Sequence, residues 1–235
     1  MLRVLILAFM TLGACAPVAI DVQTGPRPAA QPGAAPLSAS QAARQFVQVA
    51  ETVEPVAEAE CRRYAPRLNC DFMILVDDRP GQAPNAFQTL DRNGRPILAF
   101  NLGLINAVEN ADELAFVMGH EAAHHVLDHL TQQRTNATVG AAVFSGLASV
   151  SGASDIYVRE AGRLGANVGA RTYSKDFELE ADELGTIITA RAGFNPVRGA
   201  QFFTRLPDPG NRFLGTHPPN AARMDVVRRT AARLQ

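Results

Sequence analysis

Four of the five histidines in this chain fall between residues 118 and 130, in the stretch MGHEAAHHVLDHL. Within it, His120-Glu121-Ala122-Ala123-His124 has the H-E-x-x-H spacing. Four helical residues turn through about 400°, so His120 and His124 share one face, one turn apart. Two imidazoles so placed can reach a single zinc ion at about 2.0–2.1 Å. Glu121 is turned about 100° from His120. Its carboxylate therefore lies beside the ion, positioned to take a proton from an attacking water. That chemistry is metal-assisted hydrolysis, with one zinc per chain. It requires a third protein ligand and an open coordination position.

The third ligand has a candidate source in YSKDFELEADELG, which offers Glu178, Glu180, Asp182 and Glu183. Glu178 and Asp182 are four apart and share a helical face. One can bind the metal while the other accepts a hydrogen bond from a ligand histidine, which fixes that ring's tautomer.

These residues need two helices brought face to face. Asn110 caps a long helix with Glu113 three residues on, the capping-box pattern, and apolar residues carry it to about Gln133. Gly119 is its weak position, where another backbone can come close. On an unbroken helix His129 lies opposite His120, so it is read with His125 as a packed or hydrogen-bonded surface residue outside the metal site. The second helix runs from Ser174 to Arg191. Ahead of the histidines, Ser38 or Ser40 caps a helix to about Arg63, with Phe46, Val49, Val53 and Val56 at helical spacing. A strand is predicted near residues 71–76, then a hairpin, Ala86–Leu90 and Pro96–Asn101, around Asn93-Gly94. A short helix follows at residues 102–108. Residues 138–169 are rich in Ala, Gly and Ser, and three roles stay open: close helix packing, a lid, or a membrane-leaning surface. Another helix runs from Pro196 to about Leu206, and a last, basic one from Asn220 to Leu234. The fold class is α+β, mostly helical with a small sheet.

GHEAAHHVLDH followed by YSKDFELEADELG resembles the peptidase family of HtpX and the CAAX prenyl endoproteases, in particular its periplasmic lipoprotein members. PNAFQTL, GRPILAFNLGLI and GTHPPNAARM extend the resemblance over residues 85–228. Lys175 stands where that family usually has Arg, which keeps the charge but loses the planar fork. The resemblance implies a zincin-like (gluzincin) domain with Glu178 as third zinc ligand and Asp182 as the carboxylate behind a ligand histidine. It also implies roles for His217 and for Arg223, six residues later. His217 has three readings: it stabilises the oxyanion formed in hydrolysis, it plugs the open zinc position, or it is structural. By the same resemblance, Ile97, Leu98, Ala99, Phe100 and Asn101 form an edge strand onto which an extended substrate adds.

The N-terminus is expected to be a signal peptide over residues 1–14, with one basic residue, Arg3, and an apolar run too short to span a bilayer. Leu12-Gly13-Ala14-Cys15 resembles a lipobox, making Cys15 the lipidation site and placing the protein in the bacterial envelope, at the periplasmic face of the outer membrane. Residues 15–38, rich in Pro and Ala, read as a tether, and residues 39–235 as the peptidase domain. In that compartment Cys61 and Cys70 are expected to form a disulfide. With 22 basic and 23 acidic residues, the net charge of -1 argues against nucleic acid as a partner. The partners expected are unfolded or misassembled polypeptides, and the membrane through the lipid anchor. The functional expectation is a zinc endopeptidase for envelope quality control, the alternative a zinc-stabilised chaperone or assembly factor with a latent site.

Overall fold

The computed structural model describes residues 37–208, 210 and 217–234. The expected signal peptide, Cys15 and nearly all of the tether lie outside the described residues. Helix α1 (Ala39–Tyr64) opens on a capping box: the Ser38 side chain accepts from the Gln41 backbone N–H, and the Gln41 side chain accepts from that of Ser38. Its buried stripe of Phe46, Val49, Val53, Ala57 and Cys61 packs on the core. A disulfide joins Cys61 to Cys70, with Cα atoms 5.6 Å apart, and so ties the end of α1 to the approach of the first strand.

Strands β1 (Met73–Asp77), β2 (Ala86–Leu90) and β3 (Pro96–Asn101) form one sheet in the order β1-β3-β2. β3 is parallel to β1 and antiparallel to β2, with Ala86 opposite Phe100 and Leu90 opposite Pro96. This corrects the expectation for Ile97, Leu98, Ala99, Phe100 and Asn101. They form the central strand, and their backbone groups are engaged on both sides. Leu98, Ala99, Phe100 and Asn101 are all buried, and β1 pairs with the side of β3 that the hairpin alone would leave open. The edges of the sheet are β1 and β2. Asn101 donates its N–H to the Asn85 carbonyl, and Asp91 donates to Arg95. Antiparallel pairs alternate, so Phe87 and Thr89 bond to β3 while the backbone of Ala86, Gln88 and Leu90 points outward.

Asn101 ends the sheet and caps α2 (Leu102–Ala107), its Oδ1 accepting from the Leu104 N–H at 2.8 Å. Helix α3 (Ala111–Val126) is capped by Asn110. Glu113 closes that turn one residue earlier than a capping box, accepting from the Glu109 N–H at 2.7 Å. The helix is buried almost all round, with Leu114, Phe116, Met118, Ala122 and Ala123 fully enclosed.

The expected continuation of this helix to Gln133 does not occur. α3 ends at Val126, Asp128 adopts a left-handed conformation (φ 54°), and α4 (His129–Val150) starts in a new direction. Asp is among the few residues that tolerate this conformation. α4 pairs with α5 (Asp155–Arg171) as a helical hairpin. Of the roles left open for residues 138–169, close packing is what the backbone displays. A Cβ on Gly165 would lie 2.1 Å from the Gly140 carbonyl oxygen, and one on Gly169 2.0 Å from that of Asn136. Outward, Val143, Leu147, Val150, Ile156 and Tyr157 are exposed. Among the described residues, no helix is long and apolar enough to cross a membrane.

Helix α6 (Ser174–Arg191) has the predicted bounds. In place of one helix after Asn195, two short ones, α7 (Pro196–Gly199) and α8 (Gln201–Arg205), meet at Ala200. α9 (Asn220–Ala232) closes the domain against α6.

Candidate metal centre

The site is made by α3 and α6 crossing at two glycines. A Cβ on Gly185 would lie 2.9 Å from the His120 backbone nitrogen, and one on Gly119 would lie 3.0 Å from the Gly185 carbonyl oxygen. With neither present, the helices approach to backbone contact. They run antiparallel, so one turn forward on α3 matches one turn back on α6. His120 meets Asp182, and His124 meets Glu178.

The Nε2 atoms of His120 and His124 are 3.1 Å apart. Glu178 presents Oε2 at 3.6 Å from His120 Nε2 and Oε1 at 3.3 Å from His124 Nε2. A tetrahedral ion with ligand bonds of about 2.0–2.1 Å sets its ligand atoms about 3.3 Å apart. The three side chains therefore fit a divalent cation as they stand, and two imidazoles with one carboxylate suit zinc. They face a cavity of about 510 Å³ whose wall also includes Glu121, Phe177, His217 and, from the open edge strand, Ala86, Phe87 and Gln88. Glu121, half-buried, lies next to the ligands on that wall.

Behind the ligands, His120 Nδ1 donates to Asp182 Oδ1 at 3.0 Å. Asp182 is fully buried and receives two bonds of 2.7 Å from Arg223. The Arg223 guanidinium lies 3.4 Å over the Phe203 ring and 3.7 Å from Glu178. Burial disfavours a charged His120, but hydrogen bonds to Asp182 and Glu178 outweigh it and raise its pKa to about 9. Burial likewise opposes ionisation of Asp182, yet the Arg223 guanidinium holds its carboxyl below the usual range. Glu178 is held well below its ordinary value against burial, by the hydrogen bonds of His120, His124 and His217. Glu178 and Asp182 are thus held ionised, while the raised pKa of His120 favours its protonated form, so a cation bound at its Nε2 displaces a proton.

The remaining histidines divide three ways. His217, half-exposed, approaches Glu178 Oε2 through Nδ1 at 3.1 Å. His125 is buried, its Nε2–H donating to the Asn69 carbonyl oxygen over 2.7 Å and its ring edge-on to Phe72. It ties α3 to the disulfide loop. His129 is also buried and sits against His124, at 2.9 Å between their Nδ1 atoms. The reading of both as surface residues is therefore corrected, and for His129 so is its place on the far side of the helix. For His129 the cause is the break at Asp128, which redirects the chain, whereas His125 lies within α3 and is covered by Phe72 and the disulfide loop. The sequence signal available was Asp128 itself, a left-handed-tolerant residue at the end of the apolar run.

An H-E-x-x-H helix crossed by a glutamate-bearing helix over an open cavity defines a metallopeptidase. The chain belongs to peptidase family M48, whose family description matches residues 43–231. It is 34% identical over 129 residues to a protein of Vibrio cholerae named "Putative beta-barrel assembly-enhancing protease", a match covering 52% of this chain and 26% of that one. It is 28% identical over 193 residues to "Metalloendopeptidase OMA1, mitochondrial" of Bos taurus, covering 72% of this chain and 34% of the relative. With "Mitochondrial metalloendopeptidase OMA1" of Saccharomyces cerevisiae it shares 28% identity over 165 residues, 65% of this chain and 45% of the relative. The chain thus spans from about a quarter to less than half of the length of these relatives.

Proposed function

We propose that this chain is a zinc-dependent endopeptidase that cuts unfolded or misassembled envelope polypeptides, held by a lipid on Cys15 at the periplasmic face of the outer membrane. The observation that carries the enzymatic reading is the gathering of His120, His124 and Glu178, with Glu121 alongside, in a cavity bordered by the open edge of β2. The envelope setting rests on the N-terminal sequence and on the name of the Vibrio relative.

In this reading His120, His124 and Glu178 hold the zinc, which when bound supplies Lewis acidity to the scissile carbonyl and the attacking water. Glu121 accepts the proton of that water and returns it to the leaving amine. Asp182, clamped by Arg223, keeps the proton of His120 on Nδ1 so that Nε2 stays directed at the ion. His217 is assigned to the oxyanion of the attacked carbonyl. The substrate adds to β2 in extended form, and the outward groups of Ala86, Gln88 and Leu90 bind its backbone. Backbone pairing of this kind reads little sequence, so extended, unfolded chains are preferred over a sharp cleavage motif.

The test is degradation of an unfolded protein by the full chain loaded with zinc, with Glu121→Gln beside it. Cleavage by the wild type, together with a variant that holds zinc but does not cut, is the expected result. Equal zinc uptake with no cutting by either protein would overturn the enzymatic reading in favour of a binding protein with a latent site. His217→Ala should lower activity and leave zinc at one per chain. Raised activity would instead assign His217 to plugging the site.

A further inference from the structure

The left-handed turn at Asp128 has one consequence for the site. A continuous helix would carry His129 to the side of α3 away from His120 and His124. The turn instead returns it, 4% exposed, into the cavity wall. There its ring stacks on Phe177, with centroids 4.6 Å apart and planes inclined by 19°. Its Nδ1 is 2.9 Å from Nδ1 of His124, and its Nε2 is 3.2 Å from Glu180 Oε2.

One arrangement of protons serves all these contacts. His124 directs Nε2 at the ligand cluster, where it lies 3.1 Å from His120 Nε2 and 3.3 Å from Glu178 Oε1. With Nε2 presented as a lone pair, its proton sits on Nδ1. That N–H donates to Nδ1 of His129, which must then be an acceptor. The proton of His129 is therefore on Nε2 and donates to the Glu180 carboxylate. Both rings are neutral, and no donor faces a donor. His129 is not itself in the ligand group, because it meets His124 at the ring nitrogen directed away from that group.

We infer that His129, held by Glu180 and Phe177, is a positioning residue that fixes the tautomer and orientation of His124. This rests on the metal-centre reading above. The two ligand histidines are then supported in different ways: His120 by the buried Asp182 directly, and His124 by Glu180 through an intervening imidazole. Glu180 is 57% exposed at its side chain, and the relay lets a solvent-facing carboxylate orient a ligand it does not touch.

The experiment measures zinc affinity of the full chain, stripped of metal and titrated against a chromophoric chelator. It also records long-range proton–nitrogen NMR of the imidazoles in the zinc-loaded wild type. His129→Phe keeps an aromatic ring on Phe177 but has neither nitrogen. It should weaken zinc binding by about 10- to 100-fold, the usual effect of losing a partner behind a ligand. His129→Asn places an acceptor oxygen near the position of Nδ1 and should recover most of that loss. The spectrum should show the proton of His124 on Nδ1 and that of His129 on Nε2, a result that does not depend on any variant folding. Zinc binding by a folded His129→Phe protein within threefold of wild type would overturn the inference and leave the metal centre standing. So would a His129 proton on Nδ1. Wild-type protein that takes up no zinc would remove the metal-centre reading, and this inference with it.

Discussion

Arg223→Met tests whether the carboxylate behind His120 is stabilised by its buried partner. Asp182 has no solvent contact, and Arg223 is only 6% exposed. Arg223 donates two bonds of 2.7 Å to that carboxylate. Methionine has a similar unbranched stem and packs well against an aromatic face such as Phe203. What the variant removes is chiefly the charge partner, leaving a buried carboxylate with the single bond from His120. Breaking a buried pair from one side costs about 3–5 kcal/mol. For a domain of this size that corresponds to a fall in Tm of roughly 6–20 °C. The assay is thermal and urea unfolding of metal-free protein, so that bound ion does not mask the loss. The informative control is the double variant Arg223→Met with Asp182→Leu. Removing both charges should restore most of the stability, since buried pairs replaced by apolar groups are often close to neutral. It should not restore zinc affinity, because His120 Nδ1 then has no acceptor, and the loss there is expected to be about 10- to 100-fold. A single variant within about 1 kcal/mol of wild type, or a double variant no more stable than the single, would refute the reasoning.

Gly185→Ala should separate α3 from α6, since the added Cβ meets the His120 backbone at 2.9 Å. The expected cost is about 1–3 kcal/mol in urea unfolding, with weaker zinc binding as Glu178 shifts from the histidines. Replacing Cys61 and Cys70 by serine opens a short loop, and unfolding of the reduced-equivalent chain should lose about 2–3 kcal/mol with zinc stoichiometry unchanged. Gln88→Pro deletes an outward N–H of the edge strand without touching the ladder to β3. kcat/KM on an unfolded substrate should fall roughly threefold to tenfold, the worth of about one hydrogen bond, while zinc content stays the same. An unchanged kcat/KM would move the substrate off β2.

Several local signals in the sequence were sufficient by themselves. Asn93-Gly94 set the hairpin, and β2 and β3 occupy the predicted residues. Ser38 and Asn110 cap their helices because each side chain satisfies an N–H in the next turn. Fixed helical spacing placed His120 beside His124 and Glu178 beside Asp182 before any fold was known, and Gly119 marked where a second backbone would approach. The resemblance of motifs supplied what spacing could not, namely which carboxylate belongs with the histidines and that Arg223 belongs near them.

Only the tertiary structure decided the rest. Which strand lies at the edge depends on pairing between distant segments, and β3 became central because β1 joins it from across the hairpin. Helix α3 has no Gly or Pro at its end. It stops at Val126 with Asp128 left-handed, in a conformation that local propensity does not demand and that buried contacts of His129 can hold in place. That one turn moves His129 from the wrong face of a helix to His124, because direction after a chain reversal is set by what the next residue packs against, not by periodicity.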